Sequence, residues 1–190
     1  MRGNVLAMDA EWQDDPSVPL FFALGVVVEQ SARMEWVLRR VFCSLVDSKY
    51  AAIIAGGQSM SWLLDNCKAL VKANLEMTPE QIAAIQAALT ACSAANGNRN
   101  VVVHGLSRPG DEPEGLEKVR SRRQTDVPDI SSWSTDSIDE VGYKLVDATG
   151  LLLAAVENAI GMEAMGMDRV LAHERQRLEQ AGHGQTHSES

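Results

Sequence analysis

Apolar residues recur three or four positions apart in four separate stretches of the chain. This spacing is the period of an α-helix that buries one face. Glycine, proline and capping residues separate the stretches and mark where each helix begins and ends. The pattern predicts four main helices, at about residues 18–47, 58–74, 79–104 and 135–165. The predicted fold class is therefore all-α, an antiparallel bundle of four to five helices.

Local signals support three of these helix starts. Ser59 precedes the second helix and is a suitable N-cap. The run Thr78-Pro79-Glu80-Gln81 combines a capping threonine, a proline suited to the first turn and a glutamine that can close a capping box. The last helix starts near Ser134-Thr135, and the acidic residues that follow suit the positive end of its dipole.

The stretch around residues 96–105 supports two interpretations. Asn96-Gly97 is a standard turn signal and Val101-Val102-Val103 is β-branched, which favours a turn followed by a short strand. The alternative is a single helix that continues to Gly105, which would then be its C-terminal stop. Intrinsic propensity alone prefers the strand.

Residues 107–133 form an insert before the last helix. Prolines and glycines are concentrated between Arg108 and Gly115, and apolar periodicity is weak. Leu116–Thr125 suits one strand of an exposed hairpin, because the basic residues Lys118, Arg120 and Arg122 occupy alternate positions and would lie on one side of the strand. The insert is therefore expected to be irregular or a β-hairpin.

Composition limits the class of protein. The chain has 190 residues, of which 45% are hydrophobic, so one domain with a sizeable core is expected. We expect a flexible segment at 1–17, the helical domain at 18–170 and a charged, partly disordered tail at 171–190. Seventeen basic and 26 acidic residues give a formal net charge of −9. This charge excludes a protein that coats nucleic acid non-specifically, but it allows an enzyme with a local basic cluster.

The chain offers few ligands for a metal ion. Cys43, Cys67 and Cys92 lie on apolar helical positions without metal-ligand or redox spacing, so we interpret them as core residues of a reduced, cytoplasmic protein. His104 is the only histidine inside the predicted folded region. No metal and no other cofactor is expected. The apolar run Val18–Val28 follows acidic residues and is too short to span a bilayer, so no membrane association is expected.

One short motif carries candidate chemistry, Arg99-Asn100-Val101-Val102-Val103-His104, followed by Gly105. An arginine, a polar residue directly after it and a histidine several residues further on form the signature of HEPN domains, and this segment resembles that signature. The resemblance extends less closely over residues 20–165, where the order of the helices is similar to that of the HEPN bundle. HEPN domains are all-α and occur in toxin–antitoxin, abortive-infection and RNA-processing systems.

The resemblance implies a structure for the motif. In HEPN domains the motif lies at the end of a helix, which selects the helical interpretation, with the third helix running from Pro79 to about His104. Gly97 would then lie inside a helix, where glycine costs about 1 kcal/mol relative to alanine. A glycine kept at this cost suggests that position 97 requires a small residue. Close approach of a second helix would be one reason for that requirement.

The residue types suit RNA cleavage. RNA carries its own nucleophile, the 2′-hydroxyl, while histidine exchanges protons near neutral pH and arginine binds phosphate through two parallel hydrogen bonds. Asn100 lies one helical turn before His104, where it can orient the imidazole or the ribose. Arg99 projects about 100° away from Asn100 around the helix, so one copy makes an incomplete site. The resemblance implies a homodimer in which two motifs meet at the interface.

These features predict a metal-independent endoribonuclease, plausibly a toxin or defence effector. RNA is its expected substrate, and an antitoxin or other regulatory protein is a further expected partner. One HEPN subclass has a tyrosine, two residues after the histidine, that a nucleotidyltransferase modifies. Leu106 occupies that position here, so this chain departs from that pattern.

Two further sets of residues each support two interpretations. Glu35 either pairs with Arg39 one turn later or holds Arg99 in position, as acidic residues in the first helix of similar proteins do. The basic run of the insert is either a solvated loop or a contact for the RNA backbone. This run consists of Lys118, Arg120, Arg122 and Arg123.

The rival to a nuclease is a non-catalytic HEPN-like helical dimer that acts as a scaffold or binding module. His104 would then be a favourable charge at a helix C-terminus, and Arg99 would be a structural ion-pair partner.

Overall fold

The computed structural model describes residues 17–104, 106–109, 115–122 and 125–161, and the side chains of residues 105–132 are outside that description. The described part of the chain is a bundle of five helices with a small sheet before the last of them. The prediction of an all-α bundle is confirmed. In chain order the helices are α1 (Val18–Val46), α2 (Ala51–Ala55), α3 (Met60–Ala73), α4 (Pro79–His104) and α5 (Thr135–Ile160). The strands are β1 (Leu106–Pro109), β2 (Gly115–Arg122) and β3 (Thr125–Ser134), between α4 and α5.

The core lies between the four long helices. Each helix turns one apolar stripe inward, at the three-and-four spacing that predicted it. Leu38 of α1, Leu63 of α3, Leu89 of α4 and Leu145 of α5 have no exposed surface. Burying a side chain of this size contributes about 1.5–3 kcal/mol, so the stripes account for the association of the helices.

The predicted helix starts are capped by their own side chains. Ser59 Oγ accepts a hydrogen bond from the Trp62 backbone N–H at 3.2 Å, and Ser134 Oγ accepts one from Ser137 at 3.2 Å. Thr78 and Gln81 form the reciprocal capping box. The Gln81 N–H donates to Thr78 Oγ1 at 3.3 Å, and the Thr78 N–H donates to Gln81 Oε1 at 2.9 Å. These bonds satisfy N–H groups that have no partner within the helix.

Two features of the helices differ from the prediction. The short helix α2 was not predicted; it is anchored by Ala51 and Ala55, which are buried one turn apart. The last helix ends at Ile160, five residues before the predicted end. Gly161 has a φ of 80° and donates its N–H to the Glu157 carbonyl, and such a left-handed backbone ends a helix with little strain only at glycine.

The helix α4 runs without interruption through the ambiguous stretch to His104. Val102 is fully buried, and Val103 packs against the core, so tertiary burial outweighs the strand propensity of the valines. The expected close approach of a second helix to Gly97 does not occur among the described residues, where a Cβ built at Gly97 would have no neighbour within 4 Å. The close approach occurs instead at Gly142 of α5, where a Cβ would lie 3.3 Å from Val26 Cγ1 of α1.

The insert is a three-stranded antiparallel sheet in the order β1-β2-β3. The predicted strand is present as β2, which pairs with both neighbours; Val119 is opposite Leu106 on one side and Ile130 on the other. The sheet therefore has one strand more than a hairpin. Trp133, next to the end of β3, packs against the bundle core and joins the sheet to the helices.

All three cysteines are free thiols, and their positions agree with a packing role. Cys67 and Cys92 are fully buried, and Cys43 is half-buried against the core. Burial raises the pKa of Cys67 to about 12 and that of Cys92 to about 11. Burial also raises the pKa of Cys43, against a smaller lowering by the Arg40 guanidinium.

We expect the three thiols to react very unequally with a disulfide reagent. At pH 8 a thiol with a pKa near 12 is thiolate in a fraction on the order of 10⁻⁴, so Cys67 should react only when the chain unfolds. Cys92 should behave in the same way, and Cys43 should react first. Absorbance of the released thiolate in native and denatured protein measures this order. Equal rates for all three thiols in the native protein would contradict the burial described here.

Among the helices that the structure describes, none has both the length and the apolar content needed to cross a membrane.

Candidate functional site

The three motif residues come together at the carboxyl end of α4. Arg99 Nη1 donates a hydrogen bond to Asn100 Oδ1 at 3.0 Å and lies 3.0 Å from His104 Nε2. The backbone positions alone point Arg99 away from the other two residues around the helix. Its long side chain bends back over the last turn, so the guanidinium and the imidazole meet within one copy of the chain.

The Arg99–His104 contact has one possible hydrogen-bond direction. A guanidinium only donates hydrogen bonds, so His104 Nε2 must be the acceptor in this contact. The two hydrogens of Arg99 Nη1 serve the two acceptors, Asn100 Oδ1 and His104 Nε2. Asn100 thereby holds the guanidinium in place for the histidine.

Arg99 also has an unused buried donor. Its Nε is inaccessible to solvent and has no hydrogen-bond partner within the described residues. A buried donor without a partner costs about 1–3 kcal/mol, so an acceptor such as an ordered water or a bound group would stabilise it. His104 itself is exposed, while Arg99 and Asn100 are half-buried. The arrangement presents an exposed imidazole in contact with a cation whose position is constrained.

The site lies where two helix ends meet. Gln81 Nε2 donates to the Asn158 carbonyl at 3.1 Å, and Cys92 Sγ lies 3.4 Å from the Ala148 carbonyl oxygen. These contacts show that α4 and α5 are antiparallel. The carboxyl end of α4, with the motif, is therefore next to the amino end of α5. The partial negative charge at the end of α4 stabilises the cationic Arg99.

Asn96 is a residue of this region that the sequence analysis assigned only to a turn signal. It is 6% exposed and lies one turn before Asn100 on the same stripe of α4. Asn96, Asn100 and His104 are spaced four residues apart, which is a helical signal in the sequence itself. The Asn-Gly turn signal concealed this spacing.

Glu35 makes its contact within α1. Its carboxylate forms a salt bridge with Arg39, one turn later on the same helix. This is the simpler of the two interpretations of Glu35 from the sequence. No hydrogen bond joins Glu35 to Arg99 within the described residues, so the arginine is held by its own neighbours on α4.

The basic residues of the insert are described only by their backbone. Lys118, Arg120 and Arg122 lie on β2, and Arg123 is outside the described residues. An irregularity in the pairing with β3 falls between Arg120 and Arg122 and interrupts the two-residue alternation expected there. Contact of these residues with RNA stays a prediction.

Neither a metal centre among the described residues nor a known relative identifies the site. Among the residues that the structure describes, no group of three His, Cys, Asp or Glu side chains is placed to hold a metal ion. The chain matches no known family model, no curated protein and no solved structure. The geometry of Arg99, Asn100 and His104, together with the resemblance of their spacing to the HEPN motif, is therefore what points to a function.

Proposed function

We propose that this chain is a metal-independent endoribonuclease of HEPN type that works as a homodimer in the cytoplasm, as a toxin or defence effector. The observation that carries the proposal is the 3.0 Å contact between Arg99 Nη1 and His104 Nε2 at an exposed helix end. It brings a proton acceptor and a phosphate-binding cation to one place. Cleavage of RNA by its own 2′-hydroxyl needs these two groups together.

His104 is the general base of the proposed reaction. When substrate binds, the contact of Arg99 Nη1 with His104 Nε2 opens. The freed Nε2 lone pair takes the proton of the ribose 2′-hydroxyl, and the resulting oxygen attacks the adjacent phosphorus. The bond between phosphorus and the 5′-oxygen of the next nucleotide then breaks. The products are a 2′,3′-cyclic phosphate and a 5′-hydroxyl, whose proton comes from an acid on the other side of the phosphate.

Arg99 binds the phosphate and offsets the negative charge that grows on its oxygens in the transition state. Its planar guanidinium donates in a fixed geometry, which an ammonium group does not reproduce. Asn100 Oδ1 holds Nη1 at 3.0 Å and so limits how the guanidinium rotates. Asn100 is a positioning residue in this proposal.

A second copy supplies the acid. A single imidazole that has just accepted a proton from the 2′-hydroxyl is on one side of the phosphate, whereas the leaving oxygen is on the other side. The His104 of a second copy, in its protonated form, can donate there. An antitoxin or other regulatory protein would control the enzyme by covering this composite site.

The products of the reaction test the mechanism. Purified protein incubated with a mixed RNA pool should cleave it in the presence of EDTA, leave 2′,3′-cyclic phosphate ends and spare DNA, because DNA has no 2′-hydroxyl. Mass spectrometry of the fragments identifies the ends. Lys144→Ala is the control for variants of the motif and should cleave RNA at the wild-type rate. Lys144 is an exposed basic residue that pairs with Glu140 and lies outside the motif.

Two results would contradict the proposal. One is strict dependence of cleavage on added magnesium, and the other is equal cleavage of DNA. An RNA pool left intact by a folded dimer would favour the rival function, a non-catalytic scaffold or binding module.

A further inference from the structure

Two polar groups at the start of the motif are buried without a partner. The side chain of Asn96 is 6% exposed and forms no hydrogen bond within the described residues. Arg99 Nε is enclosed and has no hydrogen-bond partner there either. Buried polar groups are normally paired, so two such groups close together require an explanation. An amide oxygen accepts and the Nε–H of a guanidinium donates, so the two groups are complementary.

The helix places these two groups side by side. Residues three apart on an α-helix are neighbours, with Cβ atoms about 5–6 Å apart. At about 100° per residue, Asn96 lies roughly 60° around α4 from Arg99. In the same direction, Asn100 lies roughly 100° and His104 roughly 140° around the helix. Nη1 of Arg99 contacts both of these residues, so the side chain crosses the stripe of Asn96 to reach them. Nε precedes Nη1 along that side chain and is therefore the end of the guanidinium toward Asn96.

In this structure the guanidinium cannot bind a phosphate through two N–H groups at once. Bidentate binding uses two parallel N–H groups, either Nη1 with Nη2 or Nε with Nη2. One hydrogen of Nη1 goes to Asn100 Oδ1 and the other to His104 Nε2, each at 3.0 Å. Nε is enclosed. The guanidinium therefore has to turn before it can bind a phosphate in this way.

We propose that Asn96 Oδ1 accepts a hydrogen bond from Arg99 Nε when the contact with His104 opens, so that Asn96 is a second positioning residue for Arg99. Opening frees one hydrogen of Nη1, which then points to the phosphate beside those of Nη2. Asn100 keeps the other hydrogen of Nη1. The two asparagines thus hold the guanidinium at two points and fix the direction of its fork. The inference deepens the proposed function and rests on it, because it concerns the binding of the same phosphate.

Variants of nearly equal size at position 96 test the inference. Asn96→Leu removes the amide, whereas Asn96→Asp keeps an oxygen that accepts. At saturating RNA, Asn96→Leu should lower the single-turnover rate of cleavage roughly 10- to 100-fold, the usual effect of losing a hydrogen bond to a charged group. Asn96→Asp should keep most of the wild-type rate. Asn98→Leu is the matched control, because Asn98 is half-buried on the far side of α4, and it should cleave at the wild-type rate.

Two measurements separate this role from a purely structural one. The free energy of unfolding of Asn96→Leu in urea should be at least that of the wild type, because an apolar side chain replaces a buried amide that has no partner among the described residues. In the Arg99→Lys background, Asn96→Leu should change the rate by less than about twofold, because lysine has no Nε–H. A loss of stability that parallels the loss of rate, or an equally large loss of rate in the Arg99→Lys background, would overturn the inference.

NMR of the arginine Nε–H groups observes the bond itself. Inorganic phosphate should move the proton signal of Arg99 Nε–H downfield in the wild type and in Asn96→Asp, but not in Asn96→Leu. The signal is identified by its absence from Arg99→Lys. A wild-type signal that phosphate leaves unchanged overturns the inference. So does an equal shift in Asn96→Leu, which would make phosphate itself the acceptor.

The cleavage rate and the NMR signal distinguish the two proposals. A wild-type rate in Asn96→Leu overturns the role of Asn96 and leaves the proposed function intact. A wild-type chain that cleaves no RNA overturns the proposed function, and the response of the Arg99 signal to phosphate then decides alone whether Asn96 holds the guanidinium.

Discussion

His104→Ala should lower the rate of RNA cleavage by a factor on the order of 10²–10⁴, the usual contribution of a general base or acid. The variant keeps Arg99 and Asn100 but removes the acceptor that lies 3.0 Å from the guanidinium. Its stability should change little, because His104 is exposed at the end of α4 and a charge there contributes only about 0.3–1 kcal/mol. Single-turnover cleavage of a labelled RNA, beside Lys144→Ala, measures the loss.

Arg99→Lys separates the role of the guanidinium from that of charge alone. Lysine keeps the positive charge but cannot donate to Asn100, to His104 and to a phosphate in the geometry of a planar fork. The variant should therefore also cleave poorly. Wild-type rates in both His104→Ala and Arg99→Lys would show that the motif takes no part in the reaction. A wild-type rate in Arg99→Lys alone would show that Arg99 contributes only its positive charge.

Gly142→Val should destabilise the fold by about 1–3 kcal/mol, the usual cost of overpacking a core. The Cβ alone would be 3.3 Å from Val26 Cγ1, and the two further methyl groups of valine have to enter the same contact between α1 and α5. Urea unfolding followed by circular dichroism gives the free energy of unfolding of the variant and the wild type.

Gly97→Ala is the matched comparison within another helix. No atom of the described residues lies within 4 Å of a Cβ at that position, so alanine should raise the free energy of unfolding by up to about 1 kcal/mol through its better helix propensity. Equal destabilisation by the two variants would mean that α1 and α5 are not in close contact at Gly142.

The four main helices were predictable because each combines a long apolar period with strong end signals. The capping box at Thr78 and the caps at Ser59 and Ser134 are local, so a single sequence contains all the information that they need. The helix through Val101–Val103 was not decided by local signals. It depends on the burial of Val102, which is a property of the assembled core. The resemblance to the HEPN motif supplied that missing constraint.

The remaining differences also concern distant parts of the chain. A glycine inside a helix signals that small size matters, but the sequence does not say which glycine meets a neighbour. The close approach of a second helix was expected at Gly97, yet the contact with α1 is at Gly142. The third strand of the insert depends on pairing across residues 106–119, which alternation within one strand does not reveal.

In the candidate site, too, the local sequence predicted one part of the arrangement and left another part open. The spacing of Arg99, Asn100 and His104 identified the residues, and it also fixed the directions of their Cα–Cβ bonds. It did not fix the path of a long flexible side chain, and for that reason the return of the Arg99 guanidinium to His104 was not predicted.

The connection between the sheet and the helices has a mechanical consequence. One residue separates His104 at the end of α4 from the start of β1, and the last residue of β3, Ser134, is also the N-cap of α5. Both ends of the sheet are thus attached to the two helix ends that meet beside the motif. A displacement of the sheet would therefore reach His104 through a single intervening residue and α5 through the peptide bond between Ser134 and Thr135.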